Sequence, residues 1–184
     1  IENKITKKTK AIMPVHIYGH PVDMDVVMKL ADTYNLIVLE DAAEVHGAEY
    51  KGKKCGSIGH LSTFSFYPNK LITTGEGGMV LTDDENFAKR ARSYRNLCFE
   101  DSDRFLHYHL GFNYRMTNMQ AALGVAQLER IDEIVDFKRK MGQYYSEQLS
   151  KIKGIKTQIE KTWGKTVYWM YCIELDEDLG IDAK

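Results

Sequence analysis

Lys70 stands just after an apolar run, residues 61–66 ("LSTFSF"), and just before a glycine cluster at residues 75–78 ("GEGG"). An amine placed where a buried strand ends and the backbone turns can attack a carbonyl carbon once its surroundings let it shed a proton. Other polar residues hold comparable positions. Asp41 closes the continuous apolar run "LIVLED" at residues 36–41, His16 lies within "AIMPVHIYG" at residues 11–19, and Ser65 opens the turn that leads to Lys70. In open parallel sheets, ligands bind beyond the carboxyl ends of the strands, which is where these groups would gather. Each has a plainer reading too. A carboxylate after a strand is often a turn former, a lone lysine is usually solvated, and a lone histidine usually satisfies a local hydrogen bond. The "GEGG" cluster lacks the GK[ST] of a nucleotide phosphate loop, so it reads as room for close backbone packing.

The elements that must position these groups follow from the pattern of the chain. Residues 11–19 read as a buried strand. Asp23 is read as the N-cap of a helix over "MDVVMKLADTYN", with Val26, Val27, Leu30 and Ala31 on its inner face. The run at 36–41 completes a strand–helix–strand crossover. "LSTFSF" and "GGMVLT" predict two further strands. Asp84 opens a helix to about Tyr94, with Phe87, Ala88 and Ala91 turned inward. The segment "NLCFEDSDRFLHYHLGFNYRM" has no period and is long for a connection. From Thr117 the spacing predicts one helix to about Leu149, carrying an inner stripe of Ala121, Ala122, Val125, Leu128, Ile131 and Val135. "KTVYWMYCIEL" is β-rich. Strands alternating with helices predict an α/β fold with a mostly parallel central sheet flanked by helices.

Bulk properties bound the function. The 184 residues suffice for one sizeable core, and 43% hydrophobic with 28% charged residues is ordinary for a globular protein. A net charge of -1 gives no electrostatic footprint for nucleic acid. Cys55, Cys98 and Cys172 show neither CxxC spacing nor obvious pairing, which favours a reducing, cytoplasmic setting over a disulfide scaffold, and no metal-ligand cluster is apparent. No apolar run approaches the length of a membrane span. The chain starts at Ile1 in a polar lead and stops just after a strand-like segment, and is read as an excerpt of a longer protein.

Four segments in this order and spacing, "EDAAEVHGA", "FSFYPNK", "TTGEGGM" and "GFNYRMTN", resemble the DegT/DnrJ/EryC1/StrS family of sugar-nucleotide aminotransferases. The resemblance covers essentially the whole chain. It implies the large domain of the fold-type I (aspartate aminotransferase) architecture, with residues 1–150 as its central part and 151–184 as the start of a smaller domain. It implies pyridoxal 5'-phosphate as cofactor. Lys70 would be the amine that joins the cofactor aldehyde and moves the proton, and Asp41 would face the pyridine nitrogen. Glu44 would face the phenolic oxygen, Ser65 would hold the phosphate, and Ala43 would lie against the cofactor. Asn113 would reach the phosphate of a neighbouring subunit, in a homodimer with shared active sites. Arg115 would meet an anion there or on the substrate, or else cap the helix that follows. His16 is left between a contact near the substrate and a satisfied turn.

Within the family, "VHIYGHPVDM" and "GFNYRMTNMQAALGVAQLE" look most like the members that aminate GDP-4-keto-6-deoxymannose to perosamine for O-antigen and related surface polysaccharides. Glutamate is the implied amino donor. The deoxygenating members carry a histidine where Lys70 stands, so transamination is the favoured outcome. Alternatives are another C3 or C4 keto-sugar acceptor carried on dTDP or UDP, and a non-catalytic regulatory relative.

Overall fold

The computed structural model describes residues 1–99 and 104–181, so residues 100–103 of the unpatterned segment lie outside it. The first predicted strand is shorter than its apolar run. β1 covers only Ala11–Ile12, after which the chain leaves the sheet at Pro14, touches it again in a bridge between Val15 and Asp41, and closes a tight turn at Ile17–Gly19. Helix α1 (Met24–Tyr34) starts after Asp23 as expected, but the Asp23 carboxylate accepts from the Tyr50 hydroxyl rather than from helix amides. Met24, Val27 and Ala31 form its buried face, whereas Val26 is 52% exposed, contrary to the sequence reading. Positions 24, 27 and 31 share one helical stripe, and position 26 falls off it.

β2 (Ile37–Asp41) pairs parallel with β1, Ala11 opposite Ile37. A small hairpin follows, β3 (Glu49–Tyr50) and β4 (Lys53–Lys54), turning through Lys51 and Gly52. Both turn residues have positive φ, which matches the twist of a two-residue hairpin. β5 (Leu61–Ser65) pairs parallel with β2, Asp41 opposite Thr63. β6 (Gly78–Leu81) returns antiparallel, Ser65 opposite Gly78. The main sheet therefore runs β1-β2-β5-β6, with three parallel strands and one reversed.

That reversal makes residues 66–77 a loop at the carboxyl end of β5, and Lys70 sits in it. Phe66 anchors the loop, donating its N–H to the Gly77 carbonyl and accepting at its own carbonyl from the Thr74 amide and the Thr73 hydroxyl. Gly77 has φ 149, and a Cβ there would meet Thr74 Oγ1 at 2.7 Å and Met116 Cε at 2.9 Å. The close packing expected of "GEGG" is met here and at Gly78, where a Cβ would stand 2.9 Å from the Phe64 carbonyl oxygen.

Helix α2 (Glu85–Arg95) is capped by Asp84, whose carboxylate accepts from the amides of Asn86 and Phe87. The predicted long helix is two: α3 (Asn118–Leu128), opened by a capping box of Thr117 and Gln120, and α4 (Ile131–Leu149). The break falls at Arg130, whose φ of -112 and ψ of 14 leave the helical region. The stripe read as inward is also corrected: Val135 is buried, but Ala122, Val125 and Leu128 on α3 are exposed.

β7 (Ile155–Thr157), β8 (Gly164–Lys165) and β9 (Ile173–Leu175) are the remaining strands among the described residues; β7 pairs with β9, and β8 pairs with β3. Residues 166–169 run on from β8 as irregular, buried backbone. Val167 joins Met24, Val38, Val45, Ala48 and Val135 in one core between α1, β2 and α4. Val38, Val45 and Val167 are fully buried, each contributing roughly 1.5–3 kcal/mol.

Candidate active site

Lys70 is packed rather than solvated. Its side chain is 11% exposed, with Nζ 3.9 Å from Glu44 Oε1 and 3.6 Å from the centre of the Trp169 ring. Glu44 follows β2 and Lys70 follows β5, so the parallel register of adjacent strands brings them together. The other oxygen of Glu44 accepts from the Tyr18 amide at 2.6 Å. Tyr18 has φ 54, an uncommon conformation for a residue with a Cβ, and the Gln158 side chain donates to its carbonyl. The carboxylate is thus held between an ammonium and a backbone N–H.

His46, from the same turn as Glu44, is buried with its ring 5.4 Å from that of Phe64 and 5.8 Å from that of Phe66. Its Nε2 has no hydrogen-bond partner among the described residues. Burial, joined by the positive charge of Lys70, pushes it from 6.5 down to about 4, so the ring is neutral near pH 7. Asp41 lies at the end of β2, its Oδ1 accepting from the Ala43 amide at 3.1 Å. Ser65 is the last residue of β5, its hydroxyl accepting from the Tyr67 amide at 3.3 Å. Asp41, Ala43, Glu44, Ser65 and Lys70 therefore all lie at the carboxyl ends of two neighbouring parallel strands.

The backbone N–H of His16 donates to the Asp41 carbonyl at 3.2 Å, but its side chain turns away from these strand ends toward Glu40. His16 is fully buried, accepting at Nδ1 from the Val22 amide, which leaves Nε2–H to donate to Glu40 at 3.0 Å. Glu40 is fully buried too, and accepts from the amides of Gly56, Ile58 and Gly59 as well. Burial alone would raise its pKa, but the hydrogen bonds from His16 and these three amides together hold it below its ordinary value. With both ring nitrogens engaged, His16 braces the turn before α1 and presents no face to a substrate.

Asn113 and Arg115 are exposed and form a separate group. Arg115 donates to Asn113 Oδ1 at 3.0 Å and to Asn96 Oδ1 at 3.1 Å, while α3 is capped by Thr117 and Gln120 without it. None of these contacts reaches Lys70. Cys55 offers no competing nucleophile, since burial, with help from Glu40 and Glu49, pushes its thiol up to about 12.

Residues 1–182 match the DegT/DnrJ/EryC1/StrS aminotransferase family. The chain belongs to that family. Two GDP-perosamine synthases are similar to it. The one from Caulobacter vibrioides is 47% identical over 97% of this chain and 48% of its own length, and the one from Vibrio cholerae is 41% identical over 98% and 49%. The structure of S. venezuelae DesV in complex with a ketimine intermediate superposes with a TM-score of 0.86 at 36% identity, over 95% of this chain and 47% of that one. The chain spans about half the length of the curated relatives it matches. Its α/β architecture, a mostly parallel sheet with helices, is that of the fold-type I aminotransferases.

For this family member, sequence reasoning missed Trp169, Tyr18 and the role of Glu40. Glu40 and His46 stand inside the quoted segment "EDAAEVHGA" and could have been weighed there. Nothing local marks Trp169, whose indole N–H donates to the carbonyl of Asn69, 100 positions earlier.

Proposed function

We propose that this chain is the catalytic middle of a pyridoxal phosphate-dependent aminotransferase that moves an amino group from an amino acid, glutamate, to C4 of GDP-4-keto-6-deoxymannose, giving the perosamine nucleotide used in surface polysaccharides. The observation that carries the reading is Lys70: an amine with little exposed surface, at the end of a parallel strand and 3.9 Å from Glu44, in a chain of this family. The 41–47% identity to GDP-perosamine synthases supports the choice of sugar.

The residues present fit the cofactor. An amine, a strand-end carboxylate at Asp41, a strand-end hydroxyl at Ser65 and the unpartnered ring nitrogen of His46 lie on one side of the sheet's carboxyl edge or in the turn beside it. When bound, pyridoxal phosphate supplies an electron sink for removal of a proton from the amine-bearing carbon. Lys70 Nζ would hold the aldehyde carbon and, when free, carry the proton between donor and acceptor positions. Asp41 would keep a proton on the ring nitrogen, Ser65 would donate to the phosphate, Ala43 would lie against the cofactor, and Glu44 would accept a proton held at the phenolic oxygen. Trp169 excludes water from one side of Lys70. Asn113 and Arg115 would belong to the site of a second copy in a homodimer, a reading supported by their exposure and by their hydrogen bonding to each other and to Asn96 rather than to the Lys70 cluster. Residues 1–150 would be the centre of the large domain, and 151–184 would open the smaller one. The working compartment would be the cytoplasm; among the described residues no helix is long and apolar enough to cross a membrane.

The test is borohydride reduction of the full-length protein after addition of pyridoxal phosphate, followed by peptide mass mapping. An adduct on the Lys70 peptide is expected. An adduct on another lysine, or none in a folded protein, would remove the reading. Assay with the GDP keto sugar against dTDP and UDP keto sugars then decides the acceptor.

A further inference from the structure

Trp169 makes two contacts with the turn that carries Lys70. Its indole N–H donates to the carbonyl of Asn69, and its ring face receives the Lys70 ammonium 3.6 Å from the ring centre. An ammonium over an indole face is drawn to the ring quadrupole, most strongly where water is excluded. Here exclusion is nearly complete: Trp169 is 8% exposed and the Lys70 side chain 11%. Glu44 supplies the remaining charge contact, so the amine is confined between a carboxylate and a ring.

The ring is itself fixed from behind. The Val167 amide and the Thr166 hydroxyl both donate to the Gly19 carbonyl. The Thr166 carbonyl accepts from Arg139 at 2.6 Å, and Arg139 in turn pairs with Glu160. Gly19 has φ 81, and a Cβ there would stand 2.7 Å from the Trp169 amide, so the strand-end turn and the tryptophan backbone are in direct contact. Trp169 is therefore positioned by the turn after β1 and by α4, independently of Lys70.

From this geometry we infer that Trp169 is a positioning residue for Lys70, its indole face seating the amine opposite Glu44 and shielding it from solvent before a cofactor arrives. The inference gives the aminotransferase reading a further residue and rests on it for its meaning in catalysis, but the contact can be tested without turnover. It also couples the segment after β8 to the reactive amine, since a shift of residues 166–169 would move the ring.

The experiment is competitive acetylation of the full-length, cofactor-free protein with trace acetic anhydride. Peptide mass spectrometry gives the labelling of Lys70 relative to Lys29, an exposed lysine on α1. In Trp169→Leu the ratio is expected to rise on the order of 30-fold, the scale of a lost, desolvated cation–π contact. Trp169→Phe keeps a weaker face and should fall between the two. An unchanged ratio in a Trp169→Leu protein with native circular dichroism would overturn the inference. If that variant does not fold, Trp169→Phe decides by the same ratio: a rise supports the inference and no change overturns it. Failure of the parent protein to form a cofactor adduct at Lys70 would sink the functional reading alone, since the labelling ratio does not depend on it.

Discussion

The Glu44 carboxylate lies 3.9 Å from the Lys70 amine although the two residues follow different strands. Parallel pairing of β2 with β5, Asp41 opposite Thr63, sets the two strand ends side by side. Lys70→Ala should abolish both the reducible cofactor adduct and transamination. Turnover at the parent rate in Lys70→Ala would show that the amine is not the reactive group.

Asp41→Asn keeps the side-chain shape and the oxygen that accepts from the Ala43 amide. The fold should survive, with a denaturation midpoint close to that of the parent. The rate should drop on the order of 100-fold or more, the scale of losing a positioned proton-holding group. Single-turnover kinetics alongside urea melts would separate the two effects; a parent-like rate would remove Asp41 from the reaction.

His46 sets a pH dependence of stability. Its folded value is about 4 against an ordinary 6.5, so between those values the unfolded chain binds a proton that the folded one refuses. Stability should therefore fall as pH drops from 6.5 toward 4, by about 2 kcal/mol between pH 7 and pH 5. In His46→Phe that part of the pH dependence should vanish. Urea denaturation of both proteins at the two pH values measures it, and equal slopes would show that His46 is not the cause.

Glu40 accepts four hydrogen bonds, two at each oxygen, from His16 and the amides of Gly56, Ile58 and Gly59. Glu40→Gln would turn an NH2 toward two of those donors, leaving buried N–H groups without acceptors. A loss of about 3 kcal/mol is expected. Because the folded carboxylate titrates below its ordinary 4.5, its contribution is present above that pH and is lost as pH falls through the folded value. An unaltered urea midpoint in Glu40→Gln would mean the network contributes little.

Gly19→Ala should cost roughly 1–3 kcal/mol, because φ 81 is strained for alanine and the new Cβ would press on the Trp169 amide. Intrinsic fluorescence should report the displaced tryptophan. A parent-like melting temperature with unchanged emission would show that the turn can yield without moving the ring.

Much of the site was legible in the chain because it is built from strand ends. An apolar run that stops at Asp41, and another that stops near Ser65 before Lys70, place polar groups at the carboxyl edge of a parallel sheet by local pattern alone. Likewise Asp84 and Thr117 cap the helices that their side chains mark, since a cap is a contact of two or three residues. The apolar repeat through residues 121–135 revealed a stripe but not its cover. Periodicity records which residues share a face, so the break at Arg130 and the exposure of Val125 and Leu128 were hidden from it.

The sequence by itself thus determined the α/β class, the family and the polar strand ends, which are written in local pattern and in the order of short segments along the chain. Tertiary structure alone decided that His16 turns inward to Glu40, that Glu44 meets the Tyr18 amide, and that Trp169 covers Lys70. Those contacts join residues up to 99 positions apart, and their energy comes from burial and shared hydrogen bonds that exist only once the chain has closed on itself.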